Sequence, residues 1–324
     1  MGASMRTLDG GVAKLASRNF LSVLDLSHDE LRRALALASR LKAERPLGLR
    51  APTAHALDGR HVGLLFEKPS LRTRVTFTIG VRELGGDIVE IPADVMHADR
   101  EPVHDVARNL ERWVDAVVIR TYGQERLDFV SQSTARLHII NALSDQEHPC
   151  QALADLQTLG ELWGGDFAGR TVAFVGDGNN VATSFVHASV MLGMSVNVAT
   201  PKGYELPAKV AADVQRVARH GAVLRTFVDP KAAVKGVHAV YTDVWTSMGK
   251  EVEYAERSKI FRRYQVGGAL MAHAAPDAVF LHCLPAHRGE EVTDEVIESS
   301  ASRVFDQAEN RLHAQKALLL MLLA

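Results

Sequence analysis

Cysteine is scarce. The chain has two in 324 residues, Cys150 and Cys283, too few and too far apart for a disulfide framework. That usage points to a reducing compartment such as the cytoplasm. Long apolar runs are also missing: the longest, residues 317–324, falls far short of the roughly 20 residues a bilayer-spanning helix needs. Neither charge sign dominates. Lys and Arg number 37 against 39 Asp and Glu, a net charge of −2, so no general field draws nucleic acid or a membrane surface, and any anion binding must come from a local cluster. There is no repeat of fixed period and no low-complexity segment. Residues 1–18 (MGASMRTLDGGVAKLASR) carry three basic residues but no apolar core of signal-peptide length, and are expected to form a disordered leader.

What is present is ordinary globular material: 47% apolar and 23% charged residues. The length exceeds one comfortable core and suggests two domains. Apolar runs at 62–66, 88–91, 116–119 and 137–140 read as strands, and a second set follows at 171–175, 196–199, 223–227, 239–242 and 279–281. Between them lie helical periodicities, such as SHDELRRALALASRLK (27–42) with its Ser cap and acidic first turn. Strands alternating with helices through both halves predict two doubly wound parallel-sheet α/β domains. Ligands in such sheets sit at the C-terminal strand ends, where Arg72, Arg120 and His148 fall. The final helix, 307–323, turns from polar to apolar, and its apolar end should be buried against the first domain.

The densest stretch is FEKPSLRTR, residues 66–74. A strand ends at Phe66, Pro69 breaks the chain, and Ser70 opens a helix with Phe77, Val81 and Leu84 on one face. Backbone N–H groups at a helix start point outward at the positive end of the dipole. With the hydroxyls of Ser70 and Thr73 and the guanidinium groups of Arg72 and Arg74, they form a receptor for a phosphate dianion. A plain Ser N-cap followed by solvated arginines fits the same nine residues.

Other motifs carry paired readings. GDGNNVA (176–182) follows a strand, but its third glycine position is Val181 and no acid ends the next strand, which argues against a dinucleotide site. Asn179 and Asn180 suit helix caps or the carboxylate of an amino acid. HPC (148–150) and HCLPAH (282–287) offer two thiols and three imidazoles, without the ligand spacing of common zinc motifs. Cys283 reads either as a small buried hydrophobe or as a reactive thiol beside His282, His287 and Arg288. Asp243, at a strand end in TDVWTSMGKE (242–251), suits an ammonium ligand or a helix cap. In ENRLHAQK, Glu309, Arg311 and Lys316 also fit as solvated surface charges.

Taken together, FEKPSLRTR, HPCQALADL, GDGNN, DVWTSMG, HCLPAHRGEEV and ENRLHAQKA resemble, in order, the aspartate/ornithine carbamoyltransferase family. The resemblance runs from about residue 19 to 323. The Ser–Met–Gly loop and HCLP are similar to the ornithine-using members rather than those acting on aspartate or putrescine. It implies a carbamoyl-phosphate-binding domain over 19–152 plus 308–324, and an ornithine-binding domain over 153–307. Ser70, Leu71, Arg72, Thr73 and Arg74 would cradle the phosphate, with Arg311 completing the anion site. Arg120, His148 and Gln151 would hold the carbamoyl end. Asn180 and Asp243 would grip ornithine's α-carboxylate and α-ammonium, and Ser247 and Met248 would close over it. Cys283 and Leu284 would stand where the δ-amine meets the carbonyl, making Arg72, Arg120, His148 and Cys283 the catalytic set. A cis Leu284–Pro285 bond is implied as well. So are a homotrimer, with or without further assembly, carbamoyl phosphate and L-ornithine as small-molecule partners, and no metal or organic cofactor. Two departures stand out. Leu71 replaces a hydroxyl residue, and Met96, with His97 and Arg100 beside it, stands where the family commonly carries a Gln or His that reaches a neighbouring subunit.

Overall fold

The computed structural model describes residues 12–96, 101–246 and 251–324. The chain divides into two compact units, one formed by Met1–Asp145 with Arg311–Ala324 and the other by Gln146–Asn310. In the first, α1 (His28–Glu44) precedes β1 (His61–Phe66), α2 (Leu71–Glu83) and β2 (Asp87–Ile91). Then come α3 (Val103–Trp113), β3 (Ala116–Arg120), α4 (Gln124–Gln132) and β4 (His138–Leu143). The second begins with α5 (Pro149–Trp163), β5 (Thr171–Val175), α6 (Asn180–Met191), β6 (Ser195–Ala199), α7 (Lys209–Val217) and β7 (Leu224–Phe227). It continues with α8 (Pro230–Val234), β8 (Ala239–Thr242), α9 (Tyr254–Phe261), α10 (Gly268–Met271), β9 (Val279–His282) and α11 (Asp294–Ile297); α12 (Val304–Leu323) starts in this unit and passes into the first at Arg311.

Both sheets are parallel. Their orders are β2-β1-β3-β4 and β7-β6-β5-β8-β9, the two doubly wound sheets that the alternation predicts. Strands buried on both faces read as continuous apolar runs, and β3 is buried at every residue. The strand order reverses between β1 and β3 in the first unit and between β5 and β8 in the second. A crevice opens at such a switch point because the flanking connections leave to opposite faces. FEKPSLRTR follows β1 and Arg120 ends β3, while GDGNN follows β5 and Asp243 follows β8.

Three expectations need adjusting. Residues 12–18 are not a loose leader: Leu15 N donates to Met321 O (2.9 Å), Ala16 N to the Glu30 carboxylate (2.7 Å), and Arg18 to the carbonyls of Ser131 and Leu137 (2.8 and 2.9 Å). These partners are far away in sequence, so no local pattern announces them; residues 1–11 lie outside the described residues. Packing divides the chain after Asp145 rather than after residue 152. The reason is that α5 belongs with α6 and with the start of α12: Asp155 accepts from Gln307 Nε2 (2.6 Å) and Thr158 from Asn310 Nδ2 (3.0 Å). His148 and Gln151 therefore sit in the second unit. Met96 packs into the first unit's core with Leu65, Ala107, Val117 and Ile119, so its side chain serves packing there; His97 and Arg100 lie outside the described residues.

The apolar end of α12 is buried in the first unit, as its pattern predicts. Gly80 in the middle of α2 makes the close approach possible, since a Cβ there would lie 3.2 Å from Lys316 Cγ. Lys316 Nζ then reaches Glu83 at 2.8 Å, and Arg45 reaches it at 3.0 Å. Burial alone would raise the Glu83 carboxyl, but the hydrogen bond and charge of Lys316, aided by Arg45, hold it below its ordinary value. A carboxyl lowered in the folded state contributes stability above its unfolded pKa, near 4.3, and loses it as pH falls. Urea denaturation of wild type should therefore lose more stability between pH 6 and pH 4 than Glu83→Gln does; equal losses would show that Glu83 has no such role.

Candidate functional site

In the first unit the anion turn forms as the local sequence dictates. Ser70 is the N-cap of α2 and its Oγ accepts from Thr73 N at 3.3 Å, leaving the other early N–H groups of the helix for a ligand. Leu71 is 77% exposed, so its missing hydroxyl disturbs no packing, while its N–H remains at the helix start. Arg72 is half-buried and Thr73 fully buried. Thr73 Oγ1 accepts from Arg311 Nη2 at 3.1 Å, which draws Arg311 of α12 to the turn. The Arg74 guanidinium is paired with Glu90 on β2 and lies 4.7 Å over the Phe66 ring. Arg120 is buried at the end of β3, where the pairing with β4 slips between Ile119 and Arg120. A bulge at a strand end re-aims the residue beside it.

Glu67 braces this end of the sheet, and the sequence gives no sign of it. Its buried carboxylate accepts from Thr121 Oγ1 and pairs with Arg126, and its N–H donates to Arg120 O at 2.9 Å. The turn after β1 is thereby tied to the turn after β3.

The second unit carries the remaining groups. His148 is the buried N-cap of α5; its N–H donates to Ser184 Oγ at 2.9 Å, and that hydroxyl donates to Glu147 at 2.7 Å. Gln151, one turn on, donates Nε2 to Asp155 at 2.8 Å. Asn179 caps α6, its Oδ1 accepting from Val181 N and Ala182 N, both at 3.0 Å. Asn180 is the first helical residue, with Oδ1 on Val181 N at 3.0 Å. Asp243 is buried and accepts from Asn179 Nδ2 at 2.8 Å and from Cys283 Sγ at 3.1 Å. Three expected residues, Asn180, Asp243 and Cys283, thus cluster at the ends of β5, β8 and β9. Ser247 and Met248 lie outside the described residues.

The loop after β9 is held tightly. His282 Nδ1 accepts from Leu284 N at 2.9 Å, which leaves Nε2 protonated and donating to Glu291 at 3.0 Å. Leu284 adopts φ +56° and the Leu284–Pro285 bond is cis. Asp243, His282 and Cys283 offer ligand atoms within 4.8 Å of one another, but both His282 nitrogens are engaged in holding the loop and the Cys283 thiol is on Asp243. Burial, with the charges of Asp155, Cys283 and Asp243 around it, pushes the Tyr241 phenol well above its ordinary value. It stays protonated at neutral pH.

Two features of GDGNN have physical explanations that sequence alone does not give. A Cβ on Gly178 would fall 2.4 Å from the Glu205–Leu206 peptide. That glycine lets the turn lie against its own chain. Asp177 forms a buried ion pair with Arg257 of α9, whose Nε also donates to Trp245 O at 2.5 Å.

Comparison with known proteins matches residues 18–161 to the carbamoyl-phosphate-binding domain, and residues 168–322 to the Asp/Orn-binding domain, of aspartate/ornithine carbamoyltransferases. The chain is 48% identical over 314 residues to the ornithine carbamoyltransferase of Synechocystis sp., covering 97% of this chain and 99% of that protein. The chain belongs to the aspartate/ornithine carbamoyltransferase family. Solved members share its fold. The ornithine carbamoyltransferase from Pyrococcus furiosus has a TM-score of 0.90 at 46% identity, covering 96% of this chain and 98% of that one. That from Gloeobacter violaceus has a TM-score of 0.84 at 44% identity, covering 95% and 99%. The family's first domain model runs through α5, whereas packing in this member assigns α5 to the second unit. Among the described residues no helix is long and apolar enough to cross a membrane.

Proposed function

We propose that this carbamoyltransferase moves the carbamoyl group of carbamoyl phosphate to the δ-amine of L-ornithine, giving L-citrulline and phosphate, as a cytoplasmic homotrimer. The observation that carries this is the placement of both residue sets at the switch points of their own sheets, the anion turn after β1 and the Asp243 cluster after β8.

Each set suits one half of the reaction. The start of α2, with Ser70, Leu71 N–H, Arg72, Thr73 and Arg311, takes the phosphate dianion; Arg74 supports the turn from Glu90. Arg120, His148 and Gln151 take the carbamoyl group, and Asp155 fixes the Gln151 amide for that task. Asn180 takes ornithine's α-carboxylate and Asp243 its α-ammonium, with Ser247 and Met248 closing over them. The neutral δ-amine attacks the carbonyl carbon, forming a C–N bond while negative charge builds on the carbonyl oxygen. Arg72, Arg120 and His148 meet that charge with donors already in place. The C–O bond to phosphate then breaks, and the departing phosphate accepts the amine's proton. Cys283 and Leu284 orient the amine. A covalent enzyme intermediate is unnecessary because an amine is already an adequate nucleophile.

Purified protein should form citrulline from ornithine and carbamoyl phosphate, and should turn over putrescine and N-acylated ornithine far more slowly. Putrescine lacks the groups that Asn180 and Asp243 would bind, so a preference for it would overturn their assignment. Sedimentation should give three times the chain mass of 35.3 kDa, or a multiple of that trimer.

A further inference from the structure

Asn179 lies beside an expected substrate residue, and its sequence reads as a cap or as a holder of an amino acid's carboxylate. Its side chain does two things at once. Oδ1 is committed to two N–H groups of α6, Val181 and Ala182, so the orientation of the amide is fixed by chemistry: only the NH₂ end can face away from the helix. That end donates to Asp243 Oδ2 at 2.8 Å, while Cys283 Sγ donates to the other oxygen at 3.1 Å. The contact is possible because β5 and β8 pair directly, Val175 with Thr242, which sets the turn after one strand against the turn after the other. A cap alone would need only the oxygen.

We propose that Asn179 is a positioning residue for Asp243: anchored by α6, it fixes the rotation of that carboxylate and so directs its remaining lone pairs at the ammonium group of an amino-acid substrate. This rests on Asp243 being the ammonium ligand, as proposed above. Among the described residues, the Cys283 thiol and His282 lie beside Asp243, and the Tyr241 phenol faces Asp243, Cys283 and Asp155. His282 is held by Leu284 N and Glu291, and burial keeps the Tyr241 phenol protonated.

Two variants separate capping from positioning. Asp and Ser cap helices about as well as Asn, so Asn179→Asp and Asn179→Ser should both fold, with thermal midpoints close to wild type. Asn179→Ser is too short to reach Asp243. It should lower kcat/KM for ornithine about tenfold, the loss expected for a hydrogen bond to a charged group, and leave KM for carbamoyl phosphate unchanged. Asn179→Asp replaces a donor with a second carboxylate beside Asp243. Two such groups resist joint ionisation, so the acid limb of kcat/KM for ornithine should move up by about one pH unit or more. The same charge should slow alkylation of Cys283 by iodoacetamide at fixed pH, by disfavouring the thiolate. Cys150 is fully buried, so the folded protein's reaction reports Cys283.

Folded variants with wild-type ornithine kinetics, acid limb and alkylation rate would overturn the proposal, as would equal losses for both substrates. If wild type itself makes no citrulline, the proposed function falls. Alkylation then decides alone: a slowed Cys283 in Asn179→Asp supports the placement of Asn179 on Asp243, and an unchanged rate overturns it.

Discussion

Arg72→Ala is expected to lower kcat by about 10²–10³-fold, the usual effect of removing one preorganised donor from a developing oxyanion. Arg72 is the second residue of α2, half-buried, where the first-turn N–H groups and the helix dipole already favour an anion. A guanidinium there can touch the carbonyl oxygen and a phosphate oxygen with separate N–H groups, and no other side chain offers that fork. Arg72→Lys should therefore recover only part of the rate, since an ammonium restores the charge without the geometry. Arg74→Ala makes the contrast: its guanidinium is engaged by Glu90 and Phe66, so its loss should act on the turn and raise KM for carbamoyl phosphate more than it lowers kcat. Steady-state kinetics with saturating ornithine reads all three. Near-normal turnover by Arg72→Ala would remove the anion turn from the chemistry altogether.

The contrast between the two arginines was not legible in the sequence, where both are cations in one helical turn. Local patterns revealed what local forces determine. The apolar runs 171–175 and 239–242 coincide with β5 and β8, and Ser27 and Ser70 read as caps because an N-cap is a short-range hydrogen bond. Parallel pairing followed from the alternation of strands and helices, and with it the location of Arg120, Asp243 and Cys283 at strand ends. What stayed hidden depends on contacts across long stretches of chain. Arg18 binds carbonyls more than a hundred residues away, Glu67 finds its partners on and before α4, and Arg257 meets Asp177 from 80 residues away. No periodicity encodes such pairs. The motif around Gly178 argues against a dinucleotide site without saying what the glycine does; its absent Cβ makes room for the Glu205–Leu206 peptide.

The Asp177–Arg257 pair supports the second large prediction, one about stability. Arg257 is 2% exposed and engages on every side: Asp177 at Nη2, Glu253 at Nη1 (3.3 Å), the Trp245 carbonyl at Nε (2.5 Å), and the rings of Tyr204 and Phe261 at 4.7 and 5.1 Å. Arg257→Met preserves much of the volume against those rings but takes the guanidinium away from the buried Asp177 carboxylate. Breaking a buried pair from one side costs about 3–5 kcal/mol, which for a unit of this size lowers the thermal midpoint by roughly 6–20 °C. If the lost guanidinium at Asp177 is the cause, adding Asp177→Asn to Arg257→Met should recover most of the loss, because a neutral amide tolerates burial better than a carboxylate. Glu253 is half exposed and remains hydrated in either variant. A double variant as unstable as the single one would instead assign the loss to the Trp245 carbonyl and the aromatic contacts. Arg257 would then matter as a spacer that packs the segment after β8, and its charge would be incidental.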